Sequence, residues 1–467
     1  MAVSRQVRRA EERKRRKEEA RLAKQLNLST YTYVADDHTL TLSALSPQVV
    51  DFMKVVGLHD ALRDHVNIEK RGSLYPPEKL SSLLVLQNIL GYDRIENSRV
   101  LDHDFVIKAK LGLERYPDPE TFRNELEKYT SQNIEELFLV NRIFLEALCR
   151  LVDPQYVDLH YDTKVITVYG DQEGAEVGYN PHKPGRKSYH MKLCTIEPFG
   201  VIITVELLSG DAVSNTDFLK FHSKCITAVP QDYFPVQTVR LDKGFFSEGV
   251  IESLEGDCLF FDVAAKKQSS LQRLIASIPE DDFAPFFPDE SVCGVKTSFC
   301  LDSWKHERPF VIVRKRIGYD DHGQGYIFPR FHYQVVCSNQ EEMTAKEIWE
   351  DYNQRARIEL TIRELSCDHF ITKVPTGMFL SNYAYFWHCV LSYNLMLLFK
   401  KYVLSGEWEK SRTSTVRKKL LSAPGRLVNR CGRMLMRVMV GFPYVDVLQS
   451  VKEQLVWLYR SLHPIHA

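Results

Sequence analysis

Residues 155–170 read QYVDLHYDTKVITVYG, and this run of Val, Leu, Ile and Tyr ends a long stretch of helical spacing. The two-residue period of a β-strand places Asp158, His160 and Asp162 on one face of the segment and the apolar residues between them on the other. The apolar face is expected to pack on a core. The segment therefore predicts a buried strand that carries acidic side chains on its second face.

Strand and helix patterns alternate after this segment. Strand-like runs rich in β-branched and aromatic residues occupy residues 188–197, 201–210, 238–244 and 258–267. Helical spacing returns at residues 217–229 and 247–255. This alternation predicts the α/β fold class.

Changes of pattern divide the chain into six expected parts. They are a basic arm (1–30), a helical region expected to bind DNA (31–150), the first part of the α/β core (151–255), a β-rich insertion (256–340), a helix that completes the core (341–375) and a helical basic region (376–467). The helices of the second part are broken by turns that contain proline. That pattern is typical of a small DNA-binding module, and equally of any helical bundle.

Charge is balanced overall but uneven along the chain. Lys+Arg and Asp+Glu number 61 each, so net charge indicates no polyanionic partner. Residues 1–24 carry ten basic and four acidic side chains, and residues 400–437 carry eleven and two. Two basic ends favour contacts with a phosphate backbone, although solvated helix faces give the same pattern.

Several protein classes are excluded by composition. The ten cysteines form no C-x2-C pair, so a zinc ribbon or a disulfide framework is not indicated. The first residues lack the apolar stretch of a secretory signal, and polar residues interrupt the longest apolar run, 378–399. We therefore expect a cytoplasmic protein that has no membrane partner.

Two further segments carry candidate acidic residues. Asp242 ends a strand-like run just before Lys243, where open α/β sheets commonly present ligand-binding groups, although an Asp at this place can simply cap a turn. In the helix near residue 355, Tyr352, Arg355 and Glu359 share one face, and Arg363 follows on it four residues later. A surface ladder of ion pairs has the same spacing.

The motifs in order resemble the bacterial insertion-sequence DDE transposases that carry a Y-x2-R-x3-E signature. The resemblance rests on Asp162-Thr163, the loop rich in Gly and Pro at 170–190, RLDKGFF at 240–246 and YNQRARIE at 352–359. DPETF at 118–122 and the segments 379–396 and 415–428 are also similar to the family, so the resemblance covers most of the chain.

The resemblance implies an RNase H-like catalytic core, with a β-rich insertion and helical regions on both sides. It makes Asp162, Asp242 and Glu359 the catalytic residues and metal ligands, with Mg²⁺ as the cofactor and Mn²⁺ as a substitute in vitro. The expected partners are DNA with terminal inverted repeats and target DNA, bound by a dimer in the synaptic complex. The expected contacts to DNA phosphate are Tyr352, Arg355, Arg363, Lys183, Arg186, His190, Arg417, Lys418 and Lys419.

Some positions depart from the family pattern or stay open. Ser366 stands where the family often has a Lys, a phosphate contact that Arg363 or Lys373 can replace. Asp158 is the reserve for the first carboxylate, and Trp304 is either a core residue or a stacking platform for a flipped base. The alternatives are a non-catalytic DNA-binding regulator, a structure-specific nuclease and, third, an enzyme acting on small phosphate compounds.

Overall fold

The computed structural model describes residues 5–27, 31, 34–69, 74–319 and 325–464. The part before the main sheet is mostly helical. Its elements are α1 (Arg5–Gln25), β1 (Leu40–Thr41), α2 (Ser46–Val55), α3 (Leu58–His65), α4 (Pro77–Leu90), α5 (Ser98–Leu101), α6 (Phe105–Leu111), α7 (Pro119–Leu126), α8 (Ser131–Asn141) and α9 (Ile143–Leu151).

Polar side chains begin several of these helices. Asp104 accepts a hydrogen bond from the backbone N–H of Ile107 at 3.0 Å. Asp118 accepts one from the backbone N–H of Glu120 at 3.1 Å. Thr130 and Asn133 bond each other's backbone N–H groups at the start of α8. These contacts satisfy N–H groups that have no partner within the helix.

The middle of the chain forms a large mixed sheet with helices beside it. Its elements are β2 (Val157–Thr167), β3 (Glu176–Val177), β4 (Lys187–Glu197), β5 (Val201–Ser209), α10 (Phe218–Ala228), β6 (Val236–Leu241), α11 (Glu248–Gly256), β7 (Phe260–Ala264), α12 (Ser269–Ser277), β8 (Ala284–Pro285), β9 (Val292–Phe299), β10 (Arg308–Tyr319) and β11 (Gly325–Ser338).

Strand β2 lies near the centre of this sheet. It pairs antiparallel with β4 and parallel with β6, and β6 pairs parallel with β7. Strands β5 and β3 pair with β4. The sheet is mixed and is accompanied by helices, which confirms the predicted α/β class.

The strands expected as an insertion at 256–340 continue the same sheet. Strand β7 pairs with β6 on one side and antiparallel with β11 on the other, and β10, β9 and β8 follow. Trp304 lies between β9 and β10, is 9% exposed and packs on Phe246 and Phe310 with ring centroids 5.0 and 6.1 Å away. It is a core residue, so the stacking role is wrong.

The last part of the chain contains helices and a hairpin. Its elements are α13 (Ala345–Asn353), α14 (Ala356–Cys367), α15 (Phe379–Phe399), α16 (Thr413–Val416), β12 (Gly425–Arg430), β13 (Arg433–Arg437) and α17 (Val445–Leu462). Strands β12 and β13 form a small sheet with β1, in which Leu40 lies opposite Arg426. The region 376–467 was predicted to be helical, but it also contains the strands β12 and β13.

Helix α15 runs through the core rather than along a surface. Its polar residues are buried, and Asn394 accepts from the backbone N–H of Ile202 at 2.9 Å and donates to the carbonyl of the same residue at 2.8 Å. These bonds tie α15 to the edge of β5. No helix in the described ranges is both long and apolar enough to cross a membrane.

Candidate active site

The acidic face of β2 divides between two neighbouring sites. Asp162 lines a cleft at the surface, whereas Asp158 and His160 contact Arg240 of β6 at 2.7 and 2.9 Å. Tyr161 points the other way into an aromatic cluster and is fully buried. The predicted alternation is therefore present, and Asp158, the reserve candidate, lies four residues before Asp162 on the same face, outside the cleft lining.

Asp242 follows β6 immediately. In the parallel pair, Tyr161 lies opposite Leu241, so Asp162 and Asp242 occupy adjacent positions on neighbouring strands. The chain then turns past Gly244, where an added Cβ would lie 2.5 Å from the hydroxyl of Ser214. A glycine is needed at this turn because the chain passes so close to Ser214.

Glu359 reaches the same cleft from α14. The helix that the sequence predicted as continuous is two helices, with Gln354 and Arg355 at the junction. At the junction, the N–H of Arg355 bonds the carbonyl of Tyr352, and that of Ile358 bonds the carbonyl of Arg355. These bonds span three residues instead of four and tighten the chain there.

Arg355 bridges two of the three carboxylates. Its Nη1 donates to Oδ2 of Asp162 at 3.1 Å, and its Nη2 donates to Oε1 of Glu359 at 2.5 Å. The side chain of Arg355 is 12% exposed and that of Asp162 14%, so this part of the bridge is shielded from water. The guanidinium therefore holds the strand and the helix together at the cleft.

The cleft has a volume of about 810 Å³ and combines acidic with basic groups. Its polar lining residues are Asp162, Thr163, Lys164, Tyr179, His182, His190, Ser214, Asp242, Lys243, Lys266 and Glu359. All three predicted carboxylates thus line one space, although they are far apart in the sequence.

The electrostatics of the cleft depend on burial and on Arg355. Burial, with smaller contributions from Asp242 and Glu359, raises the pKa of Asp162 to about 6 against the opposing effect of Arg355. Burial alone lowers the pKa of Arg355, but Tyr352 and the surrounding carboxylates raise it above its usual value. Burial also raises the pKa of Tyr352 to about 12. Arg355 therefore stays charged while the acidic groups compete for it.

The donor chemistry of the cleft fits a hard divalent cation. Three carboxylates provide only oxygen ligands, which magnesium and manganese prefer. Within the described part of the chain, however, no three Asp, Glu, His or Cys side chains are gathered closely enough to hold a metal ion. The guanidinium of Arg355 lies between Asp162 and Glu359 and supplies positive charge there.

The other predicted site residues fall into three groups. His190 lines the cleft, is nearly buried, and its Nδ1 lies 2.8 Å from the carbonyl of Ala212. Tyr352 of α13 is 6% exposed and packs in a hydrophobic cluster with residues of β10 and β11, so it backs Arg355 from the inside. The exposed group comprises Lys183, Arg186, Arg363, Lys418 and Lys419.

Arg417 is half-buried and its guanidinium is bonded within the fold, contrary to the expected phosphate contact. Its guanidinium donates to the carbonyls of Ile89, Asn88 and Asp368 at 2.9, 3.0 and 2.8 Å. Burial lowers its pKa to about 10. Arg417 thus joins α4 to the end of α14. Its side chain passes against Gly91, directly after α4, where there is no room for a Cβ.

Two lysines of the cleft were missed in the sequence. Lys164 lies two residues after Asp162 on β2 and so shares its face, a signal that strand alternation already contained. Lys266 follows β7 just as Lys243 follows β6. Both β6 and β7 are parallel to β2, so their ends meet at one edge of the sheet.

Comparisons with known proteins identify a family for this chain. A family model described as "Transposase DDE domain group 1" matches residues 48–459. A search of curated proteins finds no match. Among solved structures, a cryo-EM structure of a piggyBac transposase synaptic complex with hairpin DNA is similar to this chain, with a TM-score of 0.38 and 12% sequence identity. The match covers 90% of this chain and 86% of the piggyBac chain.

The structural likeness is too small to carry an argument, so the assignment rests on the family match. That match spans residues 48–459, which is most of the chain. The chain therefore belongs to the family described as Transposase DDE domain group 1.

Proposed function

We propose that this protein cleaves DNA at terminal inverted repeats and joins the freed 3′-hydroxyl ends to target DNA by metal-dependent phosphoryl transfer. The observation that carries the proposal is the meeting of Asp162, Asp242 and Glu359 in one cleft, supplied by two parallel strands and a helix. The lysines around them, Lys164, Lys243 and Lys266, offer positive charge to a phosphodiester.

Asp162, Asp242 and Glu359 are the residues that would hold Mg²⁺, or Mn²⁺ in vitro. Divalent cations bound there neutralise charge on the attacking and leaving oxygens of the phosphodiester. The raised pKa of Asp162 and the repulsion among the carboxylates favour a bound cation, because it relieves both. Binding requires Arg355 to leave the position between Asp162 and Glu359.

The released Arg355 is well suited to the DNA phosphate beside the cleft. A guanidinium offers two parallel donors to phosphate oxygens and stays charged in this environment. Tyr352 packs behind it and fixes its direction. Arg355 is thus a cation that neutralises the resting site and then binds the substrate.

The rest of the chain fits the same proposal. The antiparallel order β5–β4–β2 followed by parallel β6 and β7 supports an RNase H-like core. The exposed basic residues Arg186, Arg363, Lys418 and Lys419 are available for phosphate. We assign the helices of 31–150 to DNA binding and expect a dimer to hold two DNA ends in the synaptic complex.

Cleavage of a DNA fragment that carries the inverted repeats tests the proposal. The wild type, Asp162→Asn, Asp242→Asn and Glu359→Gln are compared with magnesium and with EDTA, and DNA binding is measured in parallel. Each variant removes one ligand but keeps its shape, so cutting should be abolished while binding is nearly retained. The control is Glu453→Gln at an exposed position of α17, which should cut like the wild type.

The outcomes separate the candidate functions. Metal-dependent cutting and joining that is lost in the three variants supports a transposase. Specific binding without any cutting by the wild type indicates a DNA-binding regulator, and cutting without joining indicates a nuclease. Full cleavage by Glu359→Gln contradicts the assignment of the third carboxylate.

A further inference from the structure

A second cleft continues from the active-site cleft along β2. Its volume is about 600 Å³, and it shares Lys164, Val165 and His182 with the first. We call it the basic groove; the lining residues outside the shared set are Arg94, Ile166, Thr167, Val168, Tyr169, Gln172, Thr372, Lys373 and Val374. Because three residues line both spaces, a linear ligand can lie in both at once.

The two clefts differ in charge. The active-site cleft has three carboxylates, whereas no lining residue of the basic groove is Asp or Glu. Arg94 is exposed and Lys164 half-buried at the wall of the groove. The Nζ of Lys373 lies 3.4 Å from a carboxylate oxygen of Asp93, and both side chains are about 40% exposed. Because an exposed ion pair is weak, a DNA phosphate can replace Asp93 as the partner of Lys373. The groove therefore selects for a polyanion.

Exposed aromatic side chains stand along the same path. Tyr169 is 71% exposed in the basic groove, and Lys183 lies over its ring with Nζ 5.4 Å from the centroid. Tyr179 is 74% exposed and lines the active-site cleft. Exposed tyrosines among basic residues are typical of sites where unpaired bases stack while phosphates contact lysine and arginine.

The loop beside the groove is held in place by the strand. The side chain of Asn180 is buried, donates to the hydroxyl of Thr167 at 3.0 Å and accepts from the backbone N–H groups of His182 and Lys183 at 3.2 and 3.0 Å. This anchors His182 at the boundary of the two clefts. The path is thus preformed rather than dependent on a ligand for its shape.

We propose that the basic groove binds an unpaired DNA strand and leads it to the carboxylates, a role that rests on the proposed function. Phosphates contact Arg94, Lys164 and Lys373, and a base stacks on Tyr169. Between Asp162 and Thr167 the strand rises about 3.3 Å per residue, roughly 17 Å in all, so several sugar-phosphate units fit along it. A duplex presents its bases inside and gives Tyr169 no free base to stack on.

Binding of a fluorescent single-stranded oligonucleotide, on the order of ten nucleotides long, tests this role. It is measured in EDTA at several salt concentrations, together with a duplex of the same sequence. Arg94→Ala combined with Lys373→Ala should weaken single-strand binding about tenfold and reduce the salt slope by about 1.4, because about 0.7 is lost for each phosphate contact. The duplex should be affected much less.

Tyr169 separates stacking from charge. Tyr169→Ala should weaken single-strand binding about tenfold with an unchanged salt slope, and Tyr169→Phe should restore it because the ring is kept. The control is Lys452→Ala with Arg460→Ala, which removes the same charge from exposed positions of α17 and should leave both probes unaffected. Thermal melting checks that each variant is folded.

Either of two results overturns the proposal. Unchanged single-strand binding in the Arg94 and Lys373 variant removes the groove from the DNA path, and an equal loss for duplex and single strand shows that the groove takes duplex. Since EDTA prevents any cutting, the groove can bind as described even if the protein proves to be no transposase. A failure of the groove can therefore be told apart from a failure of the proposed function.

Discussion

Arg240 of β6 donates two hydrogen bonds to the carboxylate of Asp351 in α13. They run from Nε to Oδ2 at 3.1 Å and from Nη2 to Oδ1 at 2.5 Å. The arginine is 3% exposed and also bonds Asp158 of β2. Strand β6 ends at Leu241, directly before Asp242, and α13 leads to Arg355. One buried guanidinium thus fixes the spacing between the strands and the helices that carry the candidate active site.

Asp351→Asn should loosen this junction. The change leaves Arg240 buried with one carboxylate instead of two, so we expect the free energy of unfolding to fall by about 2 kcal/mol. Cleavage should drop in kcat, with little change in DNA affinity, because Asp351 lies away from the cleft lining. Urea unfolding and single-turnover cleavage measure the two effects.

The neighbouring Glu350 provides the matched control. It is exposed and pairs only loosely with Lys346, at 3.8 Å, so Glu350→Gln should change stability by less than about 0.5 kcal/mol. If Asp351→Asn cleaves like the wild type, the buried ion pair does not position the site.

Glu197 at the end of β4 should make stability depend on pH. Burial raises its pKa to about 7, against the opposing effect of Arg357. The folded state therefore holds a proton that the unfolded state releases near pH 4.5, so stability should fall as pH rises from about 4.5 to 7. Glu197→Gln removes this loss and should be more stable than the wild type by about 3 kcal/mol at pH 8.

At pH 5 the same variant should match the wild type, because Glu197 is then protonated in the folded protein. Urea unfolding at both pH values measures the difference, with Glu252→Gln at an exposed position of α11 as the control. Equal stability gains at both pH values would show that packing, rather than protonation, is responsible.

Arg355→Gln should separate metal binding from catalysis. Without the guanidinium between Asp162 and Glu359, Mn²⁺ has no internal competitor, so its apparent affinity should rise about tenfold, the equivalent of about 1.4 kcal/mol. Cleavage should nevertheless slow, because the proposed phosphate contact is lost. Titration with Mn²⁺ followed by paramagnetic resonance and a cleavage assay measure the two.

Arg363→Gln on the same helix is the control for the metal titration, since its side chain is exposed and outside the cleft lining. Weaker Mn²⁺ binding by Arg355→Gln would show that the arginine helps to arrange the ligands instead of competing with the metal.

Arg417 and its two neighbours should respond differently to substitution. Arg417→Ala leaves three buried carbonyls without their donor, so we expect a loss of about 2 to 4 kcal/mol in the free energy of unfolding. Lys418→Ala with Lys419→Ala should leave stability nearly unchanged and reduce the salt dependence of DNA binding. Thermal melting and binding at several salt concentrations distinguish them, and an equally stable Arg417→Ala would contradict the buried role.

Local patterns offered the candidate carboxylates, and the family resemblance selected among them. Strand alternation placed Asp162 on one face with Asp158, a strand end offered Asp242, and helical spacing grouped Arg355 with Glu359. The structure brings Asp162, Asp242 and Glu359 to one cleft. Each signal lies within a few residues, where the geometry of one strand or one helix decides which side chains share a face.

Contacts between distant segments were beyond such patterns. Arg417 meets Ile89 across 328 residues, and Arg240 meets Asp351 across 111. A basic residue has the same local signal whether it faces solvent or a buried carbonyl. The sequence therefore predicted a surface basic run where the fold buries one of its members.

The C-terminal hairpin had a local signal that charge obscured. Arg430 lies opposite Arg433, and the two residues between them, Cys431 and Gly432, have positive φ angles of 52° and 77°. That is the geometry of a two-residue hairpin turn, and Gly at its second position is typical. The many basic residues of this segment favoured a prediction of DNA contacts, and the turn was not predicted.

The order of elements along the chain also bears on synthesis. The ribosome makes Asp162 and Asp242 well before Glu359, and α14 is held by residues made later still, since Glu364 accepts from Lys400 at 2.8 Å and from the Thr413 hydroxyl at 2.7 Å. A nascent polypeptide thus has two carboxylates without the third. Under the proposed function, an unfinished or truncated product that lacks α14 should therefore be unable to cut DNA.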